Sequence, residues 1–315
     1  MMDLFGGLLD GPRARGAFAL RTVMRPPWSL RILAESPITV LAIVRGHAWV
    51  VPDGSEPVRL GVGDVAVTRA PLHYCVADHP DTAPEIVIHP GQRCTNLNGE
   101  SLEQELMHGV RTWGNDPNGS TLMLVGAYES TSDISDRLLR VLPPVLTLSN
   151  DTWGSPLVSL LCEEMEKECA GQAAVLDRLI DLLLIAILRA WFTRPSASAP
   201  TWYRAHSDPL VSRTLQVLHQ QPAFPWTLAQ LCHEVGASRS ALSRRFRDVV
   251  GESPMKFLTS WRLALAADML CDPEATVGTV ANALGYSTPF ALSAAFKRVR
   301  GISPQEHRVR AIRAS

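Results

Sequence analysis

The sequence lacks a run that could cross a membrane and a cysteine pattern typical of a metal site. Its most apolar run, LLLIAIL at residues 182–188, is far shorter than the roughly 20 residues of a spanning helix. The six cysteines are scattered without a CxxC pair, as in cytosolic proteins with reduced thiols. The N-terminal segment lacks a basic region followed by a sustained apolar core, so we expect no secretory signal. These absences predict a cytoplasmic protein without membrane contact.

The net charge is negative before residue 209 and positive after it. The chain has 30 Lys+Arg and 31 Asp+Glu residues, yet residues 209–315 hold 13 basic and 7 acidic ones. A nearly neutral total therefore combines an acidic N-terminal part with a basic C-terminal part. This asymmetry predicts nucleic acid, or another anionic surface, as the partner of the basic part.

Short β-rich runs dominate the first third of the chain. ITVLAIVRG, HAWVVPDG, PVRLGVGD and VAVTRAP are separated by Gly, Pro and Asp at regular intervals. Evenly spaced short strands of this kind predict a β-barrel or jelly roll. TLMLVGAYES, at residues 121–130, is expected to return to it as a late strand. We assign residues 1–132 to this domain.

Helical spacing replaces the β pattern after about residue 133. SPLVSLLCEEMEKECAG and the largely apolar QAAVLDRLIDLLLIAILRAWF predict a helical hairpin within residues 133–193. The hairpin could mediate dimerisation or simply pack on the barrel, and the sequence favours neither. Residues 194–208 are rich in Pro, Ser and Ala and predict a linker.

Residues 209–315 contain one helical unit twice. GASRSALSRRFRDVVG and GYSTPFALSAAFKRVRG each follow an amphipathic segment, and each unit is predicted to form a helix-turn-helix. The apolar positions align at an offset of 49 before the turn and 50 after it, so the second copy has one extra residue in the turn. A solvated basic helix on an ordinary bundle would explain one copy. Two copies in fixed register make that interpretation unlikely.

The second helix of the first unit has a polar face. Leu242 and Phe246 should face the core, which leaves Ser240, Ser243 and Arg244 on the opposite side, where such side chains can meet base edges. Several basic residues flank the two second helices and are predicted to contact phosphates. They are Arg239, Arg245, Arg247, Lys256, Lys297, Arg298 and Arg300.

These units resemble the two subdomains of AraC/XylS-type transcriptional regulators. The resemblance is carried by Gly285-Tyr286-Ser287, Phe296-Lys297, Gly301, Ser303-Pro304 and Arg308. It implies two helix-turn-helix units joined by a long helix over residues 254–270, with both second helices in successive major-groove segments. It also implies base contacts from Ser240, Ser243 and Arg244, and from Pro289, Phe290, Ser293 and Ala294. The family often has Arg where this chain has Ala294.

The β-rich part resembles the cupin-type sensor domain found ahead of many such regulators. The resemblance is carried by Gly46, Pro52-Asp53-Gly54, Leu60, Gly63-Asp64 and Pro71 with His73. The HxH metal pair of cupin enzymes is missing, so we expect a signal pocket without metal or cofactor. His73, Cys75 and Cys94 are the candidate pocket residues, and the two cysteines add a redox signal as an alternative to a bound small molecule.

The sequence therefore predicts an α+β multidomain protein. It combines a cupin-like barrel and helical hairpin with an all-α domain of two helix-turn-helix units at residues 209–315. Its predicted function is that of a one-component transcription factor, not an enzyme. It would be a homodimer that binds double-stranded DNA, responds to a small-molecule or redox effector and contacts RNA polymerase. The alternatives are a cupin-type enzyme with a helical interaction module, and an architectural DNA binder without sequence preference.

Overall fold

The computed structural model describes residues 18–109, 111–128, 142–167, 169–194, 208–272 and 274–314. These residues form two compact units, one within residues 18–194 and one within residues 208–314. The junction between the predicted barrel and hairpin falls in residues 129–141, outside the described part of the chain, as do residues 195–207 of the predicted linker.

The N-terminal unit contains two β-sheets. Its strands are β1 Phe18–Met24, β2 Ser29–Ile32, β3 Ile38–Arg45, β4 Ala48–Pro52, β5 Val58–Leu60, β6 Val65–Arg69, β7 Tyr74–Ala77, β8 Ile86–Ile88, β9 Cys94–Asn96, β10 Met107–Gly109, β11 Thr112–Trp113, β12 Thr121–Tyr128 and β13 Val145–Leu148. One sheet has the order β10-β11-β1-β12-β3-β6-β13 and the other β5-β4-β7-β2-β8-β9. The late strand predicted at residues 121–130 is confirmed as β12, which lies between β1 and β3.

The predicted architecture was a β-barrel or jelly roll, and the structure contradicts a closed barrel. Within the described residues, the strands pair in two separate sheets, which are not hydrogen-bonded to each other at their edges. Side-chain packing holds the sheets together instead, because Ile43 and Met123 of one sheet share a buried core with Val50 and Val76 of the other. Each sheet mixes parallel and antiparallel neighbours, since β1–β11 and β2–β8 are parallel.

Four α-helices are found among the described residues of the N-terminal unit: α1 Glu103–Leu106, α2 Asn150–Trp153, α3 Leu157–Met165 and α4 Gln172–Phe192. The α3–α4 hairpin packs on the seven-stranded sheet. Ile180 of α4 lies against Gly126, where an added Cβ would come within 3.3 Å of its Cγ2 atom. Glu166 forms an ion pair with Arg21 of β1 at 2.9 Å. This sheet is therefore covered on both faces, which explains why Ile38 to Ile43 of β3 are buried without alternation.

The C-terminal unit is helical throughout its described residues. Its helices are α5 Pro209–Gln220, α6 Leu228–Val235, α7 Arg239–Val250, α8 Pro254–Leu270, α9 Val277–Ala283, α10 Pro289–Arg300 and α11 Pro304–Ala314. One buried cluster joins α5, α6 and α7 to the first half of α8, and a second joins the end of α8 to α9 and α10. The long helix α8 is therefore shared by both halves of the unit. No helix among the described residues is long and apolar enough to cross a membrane.

Candidate nucleic-acid interface and effector cavity

Helix α7 presents a polar face because its apolar residues are fixed in the core. The side chain of Ser238 caps the helix by accepting from the backbone N–H of Ala241 at 3.2 Å. Leu242 and Phe246 are fully buried. The opposite face carries Ser240 and Arg244, both exposed, and the half-buried Ser243. These are the three residues that the sequence predicted on that face.

Helix α10 repeats this scaffold with a different exposed face. Thr288 caps it, accepting from the N–H of Ala291 at 3.1 Å, and Leu292 and Phe296 are fully buried. Its predicted base-contacting residues are Pro289, Phe290 and Ala294, which are exposed, and Ser293, which is half-buried. Phe290 is 81% exposed, the largest exposed fraction among the large apolar residues described.

The helices that precede α7 and α10 show where the offset between the two repeats changes from 49 to 50 residues. Helices α6 and α9 begin with capping boxes, Thr227 with Gln230 and Thr276 with Thr279. Their starts are 49 residues apart, whereas the starts of α7 and α10 are 50 apart. The extra residue predicted in the second turn is therefore confirmed.

The basic residues near these helices differ in their partners. Arg239, Arg247, Lys297 and Arg298 are exposed. Arg245 is paired with Asp208, whose Oδ2 atom lies 2.8 Å from its Nε atom. Lys256 lies 3.8 Å from Glu252, and the guanidinium of Arg300 lies over the ring of Phe296. The predicted phosphate contacts therefore include free and already paired cations.

The two halves of the helical unit contact each other around Arg262 of α8. Its Nε atom donates to the carbonyl of Pro222 at 2.6 Å, and its Nη2 atom to that of Phe224 at 2.7 Å. The same guanidinium lies 5.9 Å from the ring centre of Tyr286, in the turn before α10. Burial lowers the pKa of Arg262. Arg262 thus links the α5–α6 loop to the turn of the second unit.

Gly285 makes a second contact between these halves. It has a positive φ of 74°, and a Cβ built on it would overlap the carbonyl of Ala223. Its counterpart Gly236 also has a positive φ but has no atom within 4 Å of such a Cβ. Only the second turn therefore needs glycine for close approach as well as for conformation.

The N-terminal unit contains a cavity of about 350 Å³ between its two sheets, open to solvent at one end. Leu41 and Met123 line it from the seven-stranded sheet, and Leu30 and Val76 from the six-stranded sheet. Cys94 of β9 lines it too, and burial, with the nearby Glu103 carboxylate, raises the pKa of its thiol to about 11. The cavity wall is thus mainly apolar and contains an un-ionised thiol at neutral pH.

Comparison with known proteins matches both units. A family profile described as Cupin matches residues 3–193, and one described as Helix-turn-helix domain matches residues 231–310. Two curated relatives, each a "Putative AraC-like transcription regulator" from Streptomyces lividans and Streptomyces antibioticus, are 28% identical over 98% of this chain and 98% of their own. HTH-type transcriptional regulator AlkR from Acinetobacter baylyi is 25% identical over 98% of this chain and 99% of its own.

The chain belongs to the AraC-type transcriptional regulators. It is a DNA-binding transcription regulator in which a cupin domain precedes a helical helix-turn-helix domain. A solved structure, the DNA-binding domain of AdpA in complex with a target DNA, aligns with 33% of this chain and 92% of its own at 29% identity and a TM-score of 0.31.

Of the three predicted pocket residues in this AraC-type regulator, only Cys94 lines the cavity. His73 is exposed. Cys75 lies on the outer face of the six-stranded sheet, 3.8 Å from Arg31, and Arg31 holds the pKa of Asp53 below its ordinary value. The two cysteines therefore face opposite sides of that sheet and cannot form a direct disulfide.

Sequence reasoning missed most of the cavity. Trp113, Gln92 and Glu103 line it but lie outside the strands that the sequence delineated. Strand alternation could have found one part, because Tyr74 and Val76 are inward and buried while Cys75 between them is not. In the part of the chain that the structure describes, no group of three His, Cys, Asp or Glu residues could hold a metal. That the cupin domain binds no metal stays a prediction.

Proposed function

We propose that α7 and α10 enter successive major-groove segments of one DNA site. In this arrangement Ser240, Ser243 and Arg244 contact base edges from α7, and Pro289, Phe290, Ser293 and Ala294 do so from α10. The observation that carries the proposal is the duplicated scaffold, in which equivalent residues are buried and equivalent faces are exposed. Helices of this kind, positioned by a first helix across the backbone, are the usual geometry of helix-turn-helix binding.

The exposed cations of this unit supply the phosphate contacts. Arg239 and Arg247 lie in the first and last turns of α7, and Lys297 and Arg298 lie in the last turn of α10. Such contacts hold the protein in register on the duplex without carrying sequence information. They also make the affinity fall steeply with added salt.

The test is selection of duplexes by the full chain from a random-sequence pool. A single enriched motif with two conserved segments, bound with an affinity that falls steeply with salt, is expected. Enrichment without a motif would favour the architectural binder, and salt-independent affinity would contradict the proposed contacts.

The cavity of the cupin domain is proposed as the effector site, so that a small molecule bound there changes DNA binding. This proposal is supported by the cavity's volume of about 350 Å³, which is in the range of small-molecule sites, and by its place in a domain that precedes the DNA-binding domain. The enzyme alternative receives no such support, since the relatives that match nearly the whole chain are transcription regulators. Contact with RNA polymerase stays a prediction.

Dimerisation through the α3–α4 hairpin is proposed as well. One face of α4 packs on the sheet, while Val175 and Leu182 on the other face are 44% and 47% exposed. Leu160 of α3 is 45% exposed. Apolar side chains at helical spacing on an uncovered face are typical of helix–helix contacts between subunits.

Sedimentation equilibrium tests the dimer. Leu182→Glu combined with Val175→Glu should convert a dimer to a monomer. Leu97→Glu is the control, because Leu97 is also an exposed apolar residue, 67% exposed, but follows β9 of the other sheet, so the dimer should stay intact. A monomeric unmodified protein would contradict this part of the proposal.

A further inference from the structure

The cavity between the sheets is shaped for a mainly apolar molecule. Side chains from both sheets surround it, among them Leu20, Ile32, Ile88 and Val125. A ligand with many hydroxyl groups would leave most of them without partners against such a wall, at a cost for each buried polar group. A volume of about 350 Å³ instead accepts one small hydrophobic body.

The polar groups of the cavity are few and mostly neutral. Thr22, Thr39 and Tyr74 are buried in its wall, and the hydroxyl of Tyr74 already accepts a hydrogen bond from Thr68 at 3.1 Å. These hydroxyls can orient a ligand but cannot balance a charge.

The mouth is marked by the lining residues that reach solvent. Glu103 and Met107 are exposed, and Ser36 and Gln92 are half-buried. The side-chain amide of Gln92 donates to the hydroxyl of Ser36 at 3.4 Å, linking the segment after β2 to the segment after β8. A ligand with its apolar body inside would therefore place its head group near Glu103.

Charge at the mouth distinguishes between head groups. Among the described lining residues Glu103 is the only charged one, and none is Lys, Arg or His. An anionic head would lose part of its hydration without gaining a cation, and it would approach a carboxylate. A cationic head would approach that same carboxylate favourably, and an uncharged head would encounter neither effect.

We propose that this cavity binds a hydrophobic molecule with a cationic or uncharged head group and discriminates against the corresponding anion. The inference rests on the proposed role of the cavity as the effector site, and it adds the chemical class of the effector. The apolar wall supplies affinity, and Glu103 supplies discrimination between head groups.

Decylamine, decanol and decanoate test this inference because they share one alkyl chain and differ only in the head group. Their binding to the full chain is measured by isothermal titration calorimetry at pH 7, below the concentrations at which they form micelles. Decylamine and decanol are each expected to bind at least fivefold more tightly than decanoate. Decanoate within fivefold of either, or no binding by any of the three, would overturn the inference.

Substitution of the carboxylate tests the origin of the discrimination. Glu103→Gln should reduce the ratio of decylamine to decanoate affinity at least threefold, while decanol binding stays unchanged. Glu105→Gln is the matched control, because Glu105 lies on the same short helix and is exposed but does not line the cavity. A ratio that responds equally to both substitutions, or to neither, would remove Glu103 from the site.

A DNA-binding measurement separates this inference from the proposed function. If decylamine binds as expected but DNA affinity does not change, the ligand class stands and the effector role fails. If no probe binds while the chain still selects a DNA motif, the ligand class fails and the DNA-binding proposal stands.

Discussion

Helices α7 and α10 have the same scaffold but differ in the side chains of their exposed faces. Both are 12 residues long, both begin at a hydroxyl cap, and both end at a glycine with a positive φ. Their buried leucine and phenylalanine positions are equivalent, yet Arg244 on α7 corresponds to Ala294 on α10. The repeat therefore preserves what the fold requires, while the exposed positions proposed to contact DNA differ.

The largest expected difference is in stability, and it lies in the turns that precede these two helices. Gly285→Ala would place a Cβ against the carbonyl of Ala223 in addition to its unfavourable φ, so we expect a loss of more than about 3 kcal/mol in the free energy of unfolding. Gly236→Ala has only the conformational cost, about 1 kcal/mol. Urea unfolding of the fragment 208–315 compares the two, since this unit has its own buried cores.

Equal destabilisation by the two substitutions would contradict the close approach at Gly285. Gly301→Ala is a useful third variant, because Gly301 has a positive φ of 75° and nothing within 4 Å of an added Cβ. It should behave like Gly236→Ala.

The next largest difference is expected in DNA-binding affinity and sequence preference. Arg244→Ala should cost roughly 1–3 kcal/mol of binding and relax the preference at one base pair, because a guanidinium can make a forked contact to guanine. Lys297→Ala should weaken all sequences about equally and lower the salt slope by about one. Binding to a panel of single-base variants of the selected site measures both effects.

The reverse substitution can be made at the equivalent position of α10. Ala294→Arg should introduce a preference for guanine in the segment contacted by α10. If Arg244→Ala leaves the ranking of the variants unchanged, α7 does not contact bases as proposed.

The contacts of Arg262 are expected to hold α7 and α10 in a fixed position relative to each other. Arg262→Ala removes both hydrogen bonds to the α5–α6 loop and should cost about 1–2 kcal/mol of affinity for the selected site. It should also reduce the penalty for inserting one base pair between the two segments. Arg262→Lys keeps the charge without the forked donor and should behave like Arg262→Ala. An unchanged insertion penalty would show that Arg262 has no positioning role.

Local sequence patterns predicted the individual strands and helices better than they predicted whether the sheets close into a barrel. The runs that became β3, β4, β5 and β6 carried strand signals in their own residues, and the repeat gave the register of α7 and α10. Whether the sheets close into a barrel depends on pairing between strands far apart in sequence, which no local pattern encodes.

Local patterns had the same limit in predicting the two sites, the exposed face of α7 and the cavity between the sheets. The exposed face of α7 follows from the spacing of Leu242 and Phe246, so the sequence could assign it. The cavity is lined by residues from both sheets and from the segments between them, such as Gln92 and Glu103, which meet only in the folded protein. The contact of Gly285 with Ala223 joins the two repeats and was equally inaccessible.

The smallest expected difference is in the salt dependence of DNA binding, and it lies between two arginines of α7. Arg245 is paired with Asp208, and Asp208 also caps α5 by accepting from the N–H groups of Leu210 and Val211. Contact with a phosphate would require Arg245 to leave this carboxylate, whereas Arg247 is exposed. Because an exposed ion pair contributes only about 0–1 kcal/mol, the competition is modest.

Arg247→Ala should therefore lower the salt slope of DNA binding more than Arg245→Ala does. Asp208→Asn keeps an acceptor for the cap but weakens the pair, and it should raise the affinity slightly by releasing Arg245. Equal salt slopes for the two arginine variants, together with no gain from Asp208→Asn, would mean that the ion pair does not restrain Arg245.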